Sequence, residues 1–164
     1  MQSYKDLNID YQGGDLKIDI KKLTSLGGCP NHITWDFDCY ANSLTSLVCG
    51  PQQVDGHYSC QHNQLTDLVG CASHIGGILN CCYNNITSLV GIHKIIKSCN
   101  EIWFDDLKIV HGGIGLLLVE NLEVIHGSPE QYTIFNRYLG TGTKGMMACR
   151  DELIKKGLEE YAKL

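Results

Sequence analysis

Cysteine, histidine and asparagine are the residues of this 164-residue chain whose types and spacing could do chemistry. His57 and His62 flank Cys60, and imidazole and thiolate are the usual ligands of zinc. Two residue types recur every 21 positions, as the cysteines Cys39, Cys60 and Cys81 and as the asparagines Asn42, Asn63 and Asn84. A zinc site, a set of disulfide bonds and a repeated core position would each account for this recurrence.

The surroundings of the cysteines favour a core position. The chain contains no Cys-x-x-Cys pair, and in a strand Cys60 would point inward while the two neighbouring histidines point outward. The cysteine count of nine is odd, and residues 1–14 contain no apolar export signal. We therefore expect a cytoplasmic protein with reduced thiols, no metal and no other cofactor. Cys82 and Cys99 would be exposed thiols.

Charge and hydropathy disfavour several classes of function. The net charge of −5 provides no basic field for nucleic acid or anionic lipid. The longest apolar run, residues 114–119, is too short to cross a bilayer, so no membrane association is expected. Residues 140–145, GTGTKG, lack the spacing of a phosphate-binding loop. With the repeated positions set aside, no acid–base pair, nucleophile triad or metal cluster is left, and we predict a non-enzymatic protein.

The 21-residue period indicates which elements position these side chains. One apolar position is shared by Leu23, Leu44, Leu65, Ile86 and Leu107, and one turn position by Gly28, Cys49, Gly70, Gly91 and Gly112. Each repeat contains a short alternating segment, such as YSC at 58–60, which is typical of a half-buried strand. One repeat buries too little apolar surface to offset the entropy lost in ordering it. The repeats must therefore stack into a solenoid.

Three segments resemble the core of the leucine-rich repeat: FDCYANSLTSL (37–47), YSCQHNQLTDL (58–68) and LNCCYNNITSL (79–89). Their length is similar to that of the short repeats of bacterial effector proteins, although the Leu-Pro-x-Leu-Pro element of that group is missing. The stretch 23–47 and the tail RYLGTGTKGMMACRDELIKKGLEEYAKL (137–164) also resemble uncharacterised proteins of large tailed bacteriophages. This second resemblance implies a viral protein that acts inside a bacterial cell.

The resemblance implies an α/β solenoid with about six rungs of short parallel strands, a largely irregular convex side and a C-terminal helical cap. Residues 1–22 would form an N-terminal cap, residues 23–127 the repeats and residues 128–164 the C-terminal cap, within one structural domain. The first cap would bury Leu7, Ile9, Leu16, Ile18 and Ile20. The second would contain one helix with Ser128 as N-cap, Pro129 at its first position and Gly140 as its stop, and another from Met146 to about Lys163.

Two columns of side chains are expected to hold the rungs together. Cys39, Cys60 and Cys81 would be buried rungs, preceded by Ile18 and continued by Ile102. The resemblance implies that Asn42, Asn63 and Asn84 form an asparagine ladder to the turning backbone, because an amide both donates and accepts. Asp105, at the next position of this column, would keep only the acceptor oxygen, because an ionised carboxylate has no donor. The fourth strand would contain either a shift of one residue or a polar core at Asn100, and the fifth would use Leu122 and Val124.

The outward strand positions would form the concave face, the usual binding surface of leucine-rich repeats. The outward residues besides the predicted site are Ala41, Ile78 and Cys99. We predict partner binding by Asp36, Asp38, Tyr40, His57, Ser59, Gln61, His62, Asn80, Cys82, Tyr83, Glu101, Trp103 and Phe104. Large aromatic side chains at positions where the fold does not require them are typical of protein interfaces. Alternatively, the C-terminal helices or a second copy of the chain would cover Trp103 and Phe104.

The predicted function is that of a protein-binding module, encoded by a phage and directed at a bacterial host protein in host takeover or counter-defence. One alternative is a self-assembling structural protein, with Trp103 and the C-terminal helices forming a homodimer. Another is a sponge for a small signalling nucleotide, which the negative charge disfavours.

Overall fold

A computed structural model of the protein describes residues 2–105, 109–127 and 130–164. In these residues the chain forms a parallel β-solenoid with few helices. Its strands, in chain order, are β1 (Leu16–Lys17), β2 (His32–Ile33), β3 (Phe37–Asp38), β4 (Gln53–Val54), β5 (Tyr58–Ser59), β6 (His74–Ile75), β7 (Ile78–Asn80), β8 (Ser88–Leu89), β9 (Glu101–Trp103), β10 (His111–Gly112) and β11 (Val124–His126). One parallel sheet contains six of them, in the order β1-β3-β5-β7-β9-β11. The predicted six rungs are confirmed.

The first four rungs of this sheet follow the 21-residue period. Leu16 lies opposite Phe37, Phe37 opposite Tyr58, and Tyr58 opposite Leu79. All four side chains are buried, and the rings of Phe37 and Tyr58 meet edge to face with their centroids 4.9 Å apart. Because each large apolar side chain contributes roughly 1.5 to 3 kcal/mol when it is buried, this column is a main source of stability. The repeated leucines Leu23, Leu44 and Leu65 are fully buried beside it.

The period changes to 23 between the fourth and fifth rungs, because Ile102 lies opposite Leu79. The prediction that Ile102 continues the cysteine column is therefore wrong. The amide of Cys81 donates to the carbonyl of Trp103, so Phe104 takes the place beside Cys81. Two inserted residues, rather than the expected shift of one, keep apolar side chains pointing inward. Asn100 is exposed, and the predicted polar core is wrong as well.

The sixth rung continues with the same period of 23, since Ile125 lies opposite Ile102. Ile125 is buried, whereas Val124 is only half-buried. The prediction that Leu122 and Val124 form the inward side of this strand is therefore wrong. Leu122 is buried, but it lies before the strand.

The turn position of each repeat has a left-handed backbone, as the repeated glycines predicted. The φ angles at Gly28, Cys49, Gly70, Gly91 and Gly112 lie between 67° and 92°. Gly70 is required for a second reason, because a Cβ there would lie 2.4 Å from the backbone nitrogen of Val48. Cys49 adopts the same conformation with a side chain, which is strained for a residue other than glycine. Leu107, predicted to share the Leu23 position, lies outside the described residues.

The parts of the windings outside the six-stranded sheet are less irregular than expected. β2, β4 and β6 form a three-stranded parallel sheet, and β8 pairs with β10. One short helix, α1 (Ile92–Ile95), follows β8, and a 3-10 helix at Ile114–Leu118 follows β10. The prediction of a largely irregular convex side is therefore wrong for the parts of the windings that form these ladders.

The N-terminal end begins with a 3-10 helix at Tyr4–Leu7, which buries Tyr4. Its backbone is tied to the first repeat, because the amide of Tyr4 donates to the carbonyl of Ser25. Leu16 and Ile18 are buried as predicted. Ile9 is exposed, and Ile20 is 66% exposed in a left-handed conformation, so the prediction that these two isoleucines face the core is wrong.

Two helices follow the last strand, α2 (Glu130–Tyr138) and α3 (Gly142–Lys155), and a 3-10 helix lies at Glu159–Ala162. Gly140, with φ of 68°, follows the end of α2 as predicted. The predicted helix from Met146 to Lys163 is wrong at both ends, since α3 starts earlier and the chain turns at Gly157, which has φ of 72°. The predicted cap residues Ser128 and Pro129 lie outside the described residues.

Within the described residues we find no helix with the length and apolar character needed to cross a membrane.

Candidate functional site

The three repeated asparagines form the predicted ladder inside the solenoid. The amide nitrogen of Asn63 donates to the carbonyls of Cys60 and Cys39, at 3.0 Å each, and its oxygen accepts from the amide of Leu44 at 3.0 Å. Asn42 and Asn84 make the equivalent bonds, with Cys39, Ile18 and Leu23 and with Cys81, Cys60 and Leu65. Each asparagine thus joins two successive rungs. Asp105 accepts from the amides of Tyr83 and Asn84, but it directly follows Phe104 and therefore lies beside Cys82, outside the asparagine column to which it was assigned.

A second ladder, at the start of the strands, was missed by the sequence reasoning. Asp15 accepts from the amide of Asp36 at 3.2 Å, Asp36 from that of His57 at 2.7 Å, and the Nδ1 of His57 from that of Ile78 at 2.9 Å. These residues recur every 21 positions, so the signal was an acceptor side chain repeated in register. Asp36 and His57, both predicted to bind a partner, therefore also hold neighbouring rungs together.

The cysteine column is a core feature without nucleophilic character. Cys39, Cys60 and Cys81 are buried, and burial raises the pKa of each thiol well above its ordinary value of 9.0. All nine cysteines are free thiols. Cys99 is buried rather than exposed, which corrects the prediction, and burial raises its pKa to about 11. A thiol of such a high pKa carries little thiolate, so these groups are poor nucleophiles and poor metal ligands.

The sheet face is the outward side of the six-stranded sheet, and it brings together all but one of the predicted binding residues. Asp38, Ser59, Asn80 and Trp103 form one line across neighbouring strands. Asp36, His57 and Glu101 precede this line, whereas Tyr40, Gln61 and Cys82 follow it, and all of them are at least partly exposed. Phe104 is the exception, with 5% exposure. Its ring stacks on Tyr132 of α2 at 6.2 Å, so the alternative that C-terminal helices cover it is correct for this residue.

One rim of the sheet face is formed by four residues with a left-handed backbone, which we call the left-handed column. They are Ile20, Ala41, His62 and Tyr83, with φ between 50° and 57°. Glycine or asparagine is the residue that this conformation favours, and other side chains are disfavoured there by about 1 to 2 kcal/mol. Tyr83 is 60% exposed, so burial in the core does not compensate for this strain. The residue types of this column are therefore not chosen for the fold.

Two rings of this rim, His62 and Tyr83, form a continuous ring row with the neighbouring ring of Tyr40. Tyr40 meets His62 edge to face at 5.1 Å, and His62 stacks on Tyr83 at 4.2 Å with an interplanar angle of 20°. The rings come from three successive rungs and are held in line by the parallel sheet beneath them. The stacked faces of His62 and Tyr83 cover each other, so the row offers its polar edges and its uncovered ring faces to a partner.

A second aromatic cluster lies at the C-terminal end of the sheet face. The rings of Trp103 and His126 are 4.7 Å apart, and both donate to the carboxylate of Glu101, His126 at 2.8 Å and Trp103 at 3.3 Å. The hydrogen bond from His126, followed by that from Trp103, lowers the pKa of the Glu101 carboxyl below its ordinary value of 4.5. Trp103 is still 38% exposed. The cluster is thus pre-ordered but open to a partner.

The sheet face carries more carboxylates than ammonium groups. Among the described residues, its strands and their ends carry the carboxylates of Asp15, Asp19, Asp36, Asp38 and Glu101 and the ammonium group of Lys17, while Lys21 and Lys22 directly follow Ile20 of the rim. Lys17 lies 3.5 Å from Asp15 and offsets only part of this charge.

Two exposed aromatic residues of this region were missed by the sequence reasoning. Trp35 is 66% exposed at the bend between β2 and β3, directly before Asp36. Its position in the repeat is occupied by Gly56 and Gly77 in the next rungs, and a tryptophan in place of glycine was a signal in the sequence. His126 could be placed only once the period of 23 was known.

Two grooves lie away from the sheet face. One of about 340 Å³ is lined by residues of the three-stranded sheet, including Gln53 and His74, and one of about 400 Å³ by Leu118, Leu122 and Gly140. Among the described residues, no group of three or more His, Cys, Asp and Glu side chains is arranged to hold a metal ion.

Comparison with protein-family models, with curated proteins and with solved structures found no match for this chain.

Proposed function

We propose that this protein is a leucine-rich repeat module that binds a partner protein through the sheet face. The observation that carries the proposal is the ring row, because His62 and Tyr83 occupy left-handed positions where the fold favours glycine. Exposed aromatic side chains that the fold does not need are typical anchors of protein interfaces. The asparagine ladder supports the assignment to leucine-rich repeats, which the sequence resemblance also implies.

The partner in this proposal is a bacterial host protein, and the chain is a phage product that acts in host takeover or counter-defence. Support for this part comes from the resemblance of residues 23–47 and 137–164 to phage proteins. The negative charge of the sheet face supports a protein partner over nucleic acid, since phosphate groups would be repelled.

The C-terminal helices are proposed to act as the cap of the solenoid. The side chain of Asn136 in α2 accepts from the amide of Ile125 at 2.8 Å and donates to its carbonyl at 2.9 Å. The side chain of Asn136 thus binds the backbone N–H and C=O of Ile125, which a seventh strand would otherwise pair with. An unprotected sheet edge can pair with another chain, so the contact supports a capping role.

The binding proposal is tested by affinity capture from bacterial lysate, followed by mass spectrometry. The bait variant combines Tyr83→Gly, which suits the φ of 57° at that position, with Trp103→Ala. We expect it to lose the proteins that the wild-type bait captures. Val69→Ala is the matched control, because Val69 is an exposed apolar residue in a turn away from the sheet face. An unchanged set of captured proteins with the double variant would show that the proposal is wrong.

A homodimer formed through the C-terminal helices is the second candidate function. Met147 and Ile154 are exposed on α3 and lie seven residues apart, which places them on one side of the helix. Sedimentation of the purified chain over a range of concentrations tests this candidate. A monomer at all concentrations would exclude it, whereas a dimer that Ile154→Lys dissociates would support it.

A further inference from the structure

The carboxylates of Asp36 and Asp38 are the part of the sheet face on which this inference rests. In the described part of the chain, neither Asp36 nor Asp38 forms an ion pair. Asp36 accepts from the amide of His57 at 2.7 Å, and Asp38 from the amide of Tyr40 at 2.9 Å. These bonds fix the carboxylates in place without cancelling their charge. A cationic partner would remove the mutual repulsion of these groups, so charge complementarity favours such a partner.

The carboxylates lie beside the ring row. Asp38 accepts from the amide of Tyr40, which follows the strand, and Asp105 accepts from the amide of Tyr83 at 2.7 Å. A flat cation on the face of a ring is attracted by the π electrons, and a nearby carboxylate adds to this attraction. The guanidinium of arginine is planar and weakly hydrated, which suits both contacts better than the ammonium of lysine.

Resting on the proposed function, we infer that the partner segment is an extended, arginine-bearing stretch of polypeptide that lies along the sheet face with an arginine on the ring row. Six strands spaced about 4.8 Å apart give a surface roughly 24 Å long. At about 3.3 Å per residue, an extended segment of roughly seven residues spans this length. The surface is open and long, so a polypeptide fits it better than a compact cation.

The test is a titration of the full chain, labelled with ¹⁵N, in which amide chemical shifts are followed by NMR. The probes are the blocked peptide Gly-Arg-Gly-Arg-Gly-Arg-Gly, its lysine analogue, its citrulline analogue and spermidine. Citrulline has the shape of arginine without the charge. We expect the arginine peptide to shift amides of residues 36–41, 57–62 and 80–83 and to bind several-fold more tightly than the lysine peptide. The citrulline peptide and spermidine should bind at least about tenfold more weakly.

The matched variant is Asp36→Asn with Asp38→Asn. An asparagine oxygen still accepts from the amides of His57 and Tyr40, so the variant keeps the fold, which its own NMR spectrum verifies. We expect about a tenfold loss of affinity for the arginine peptide. Tyr83→Gly should lower the affinity as well, and it should reduce the preference for arginine over lysine.

Several outcomes would overturn the inference. Equal binding of the citrulline peptide would exclude the role of charge, and equal binding of spermidine would exclude the polypeptide. If the changed amide chemical shifts were confined to residues outside the sheet face, the binding site would lie elsewhere on the protein. Self-association that the Asp36→Asn and Asp38→Asn changes weaken would assign the sheet face to a second copy of the chain.

Failure of this inference can be told apart from failure of the proposed function. A bait with Asp36→Asn and Asp38→Asn that still captures the partner, while the Tyr83→Gly and Trp103→Ala bait does not, would leave the binding function in place and remove the cationic segment. If all baits capture the same proteins, the binding function itself fails.

Discussion

The asparagine ladder and the left-handed column lie one residue apart along the chain, and they follow opposite rules. Asn42, Asn63 and Asn84 are identical on three successive rungs, buried and bonded to the backbone of two rungs. Their neighbours Ala41, His62 and Tyr83 differ on every rung and are partly or largely exposed. A buried backbone carbonyl must find a donor, which fixes the residue type. An exposed position has no such requirement, so its side chain is free to serve a partner.

The largest effect is expected from a substitution that breaks the asparagine ladder at its centre. Asn63→Leu would leave the carbonyls of Cys39 and Cys60 and the amide of Leu44 without this partner. Since each unsatisfied buried group costs about 1 to 3 kcal/mol, we expect the free energy of unfolding to fall by about 3 to 5 kcal/mol. Urea unfolding followed by circular dichroism measures this change. His62→Ala, one residue away, is the control and should cost less than about 1 kcal/mol. A loss for Asn63→Leu as small as that of the control would refute the difference between the two columns.

The next largest effect is expected at the turns, where two glycine substitutions distinguish backbone strain from steric contact. In Gly70→Ala the new Cβ would meet the backbone of Val48, whereas at Gly91 nothing lies within 4 Å of an added Cβ. Both residues have a left-handed backbone. We expect Gly91→Ala to cost about 1 kcal/mol and Gly70→Ala at least about 2 kcal/mol more. Equal midpoints of urea unfolding for the two variants would contradict the close contact at Gly70.

A smaller effect of opposite sign is expected where a strained position receives glycine. Cys49 has φ of 67° and is exposed, so Cys49→Gly should raise the free energy of unfolding by up to about 1 kcal/mol. Tyr83→Gly should raise it less, because the ring contact with His62 is lost. Chemical denaturation of both variants tests this order. Destabilisation of the protein by Cys49→Gly would argue that the thiol makes a stabilising contact.

The smallest expected effect concerns the dependence of stability on pH. The pKa of Glu101 is lower in the folded protein than its ordinary value of 4.5, first because of the hydrogen bond from His126. The charged carboxylate therefore stabilises the fold above pH 4.5, and this contribution is lost as the pH falls through the folded pKa. We expect Glu101→Gln to lower the thermal midpoint at neutral pH and to have less effect below pH 4. A difference from wild type that does not change with pH would show that the carboxylate adds no pH-dependent stability.

The parts of the fold that the period of 21 governs could be predicted from the sequence. The asparagine and cysteine columns and the left-handed turns follow from residues repeated in register. The failures begin where the period changes. Ile102 was assigned to the wrong inward column and Phe104 to the wrong side of the sheet, because two inserted residues shift the fifth rung and a fixed period of 21 does not include them. The sides of Ile20 and Cys99 were wrong because each lies two or three residues outside its short strand, where the alternation of a strand no longer applies.

Sequence by itself determined the repeated scaffold, because apolar burial and backbone hydrogen bonding make the same demand on every rung and therefore select the same residue. Tertiary structure alone decided which of the remaining residues meet. The ring row, the Glu101 cluster and the bonds of Asn136 to the last strand join residues that are between 2 and 25 positions apart in the chain. Their geometry depends on the number of residues in each turn of the solenoid, which sets the side of the sheet on which a residue lies.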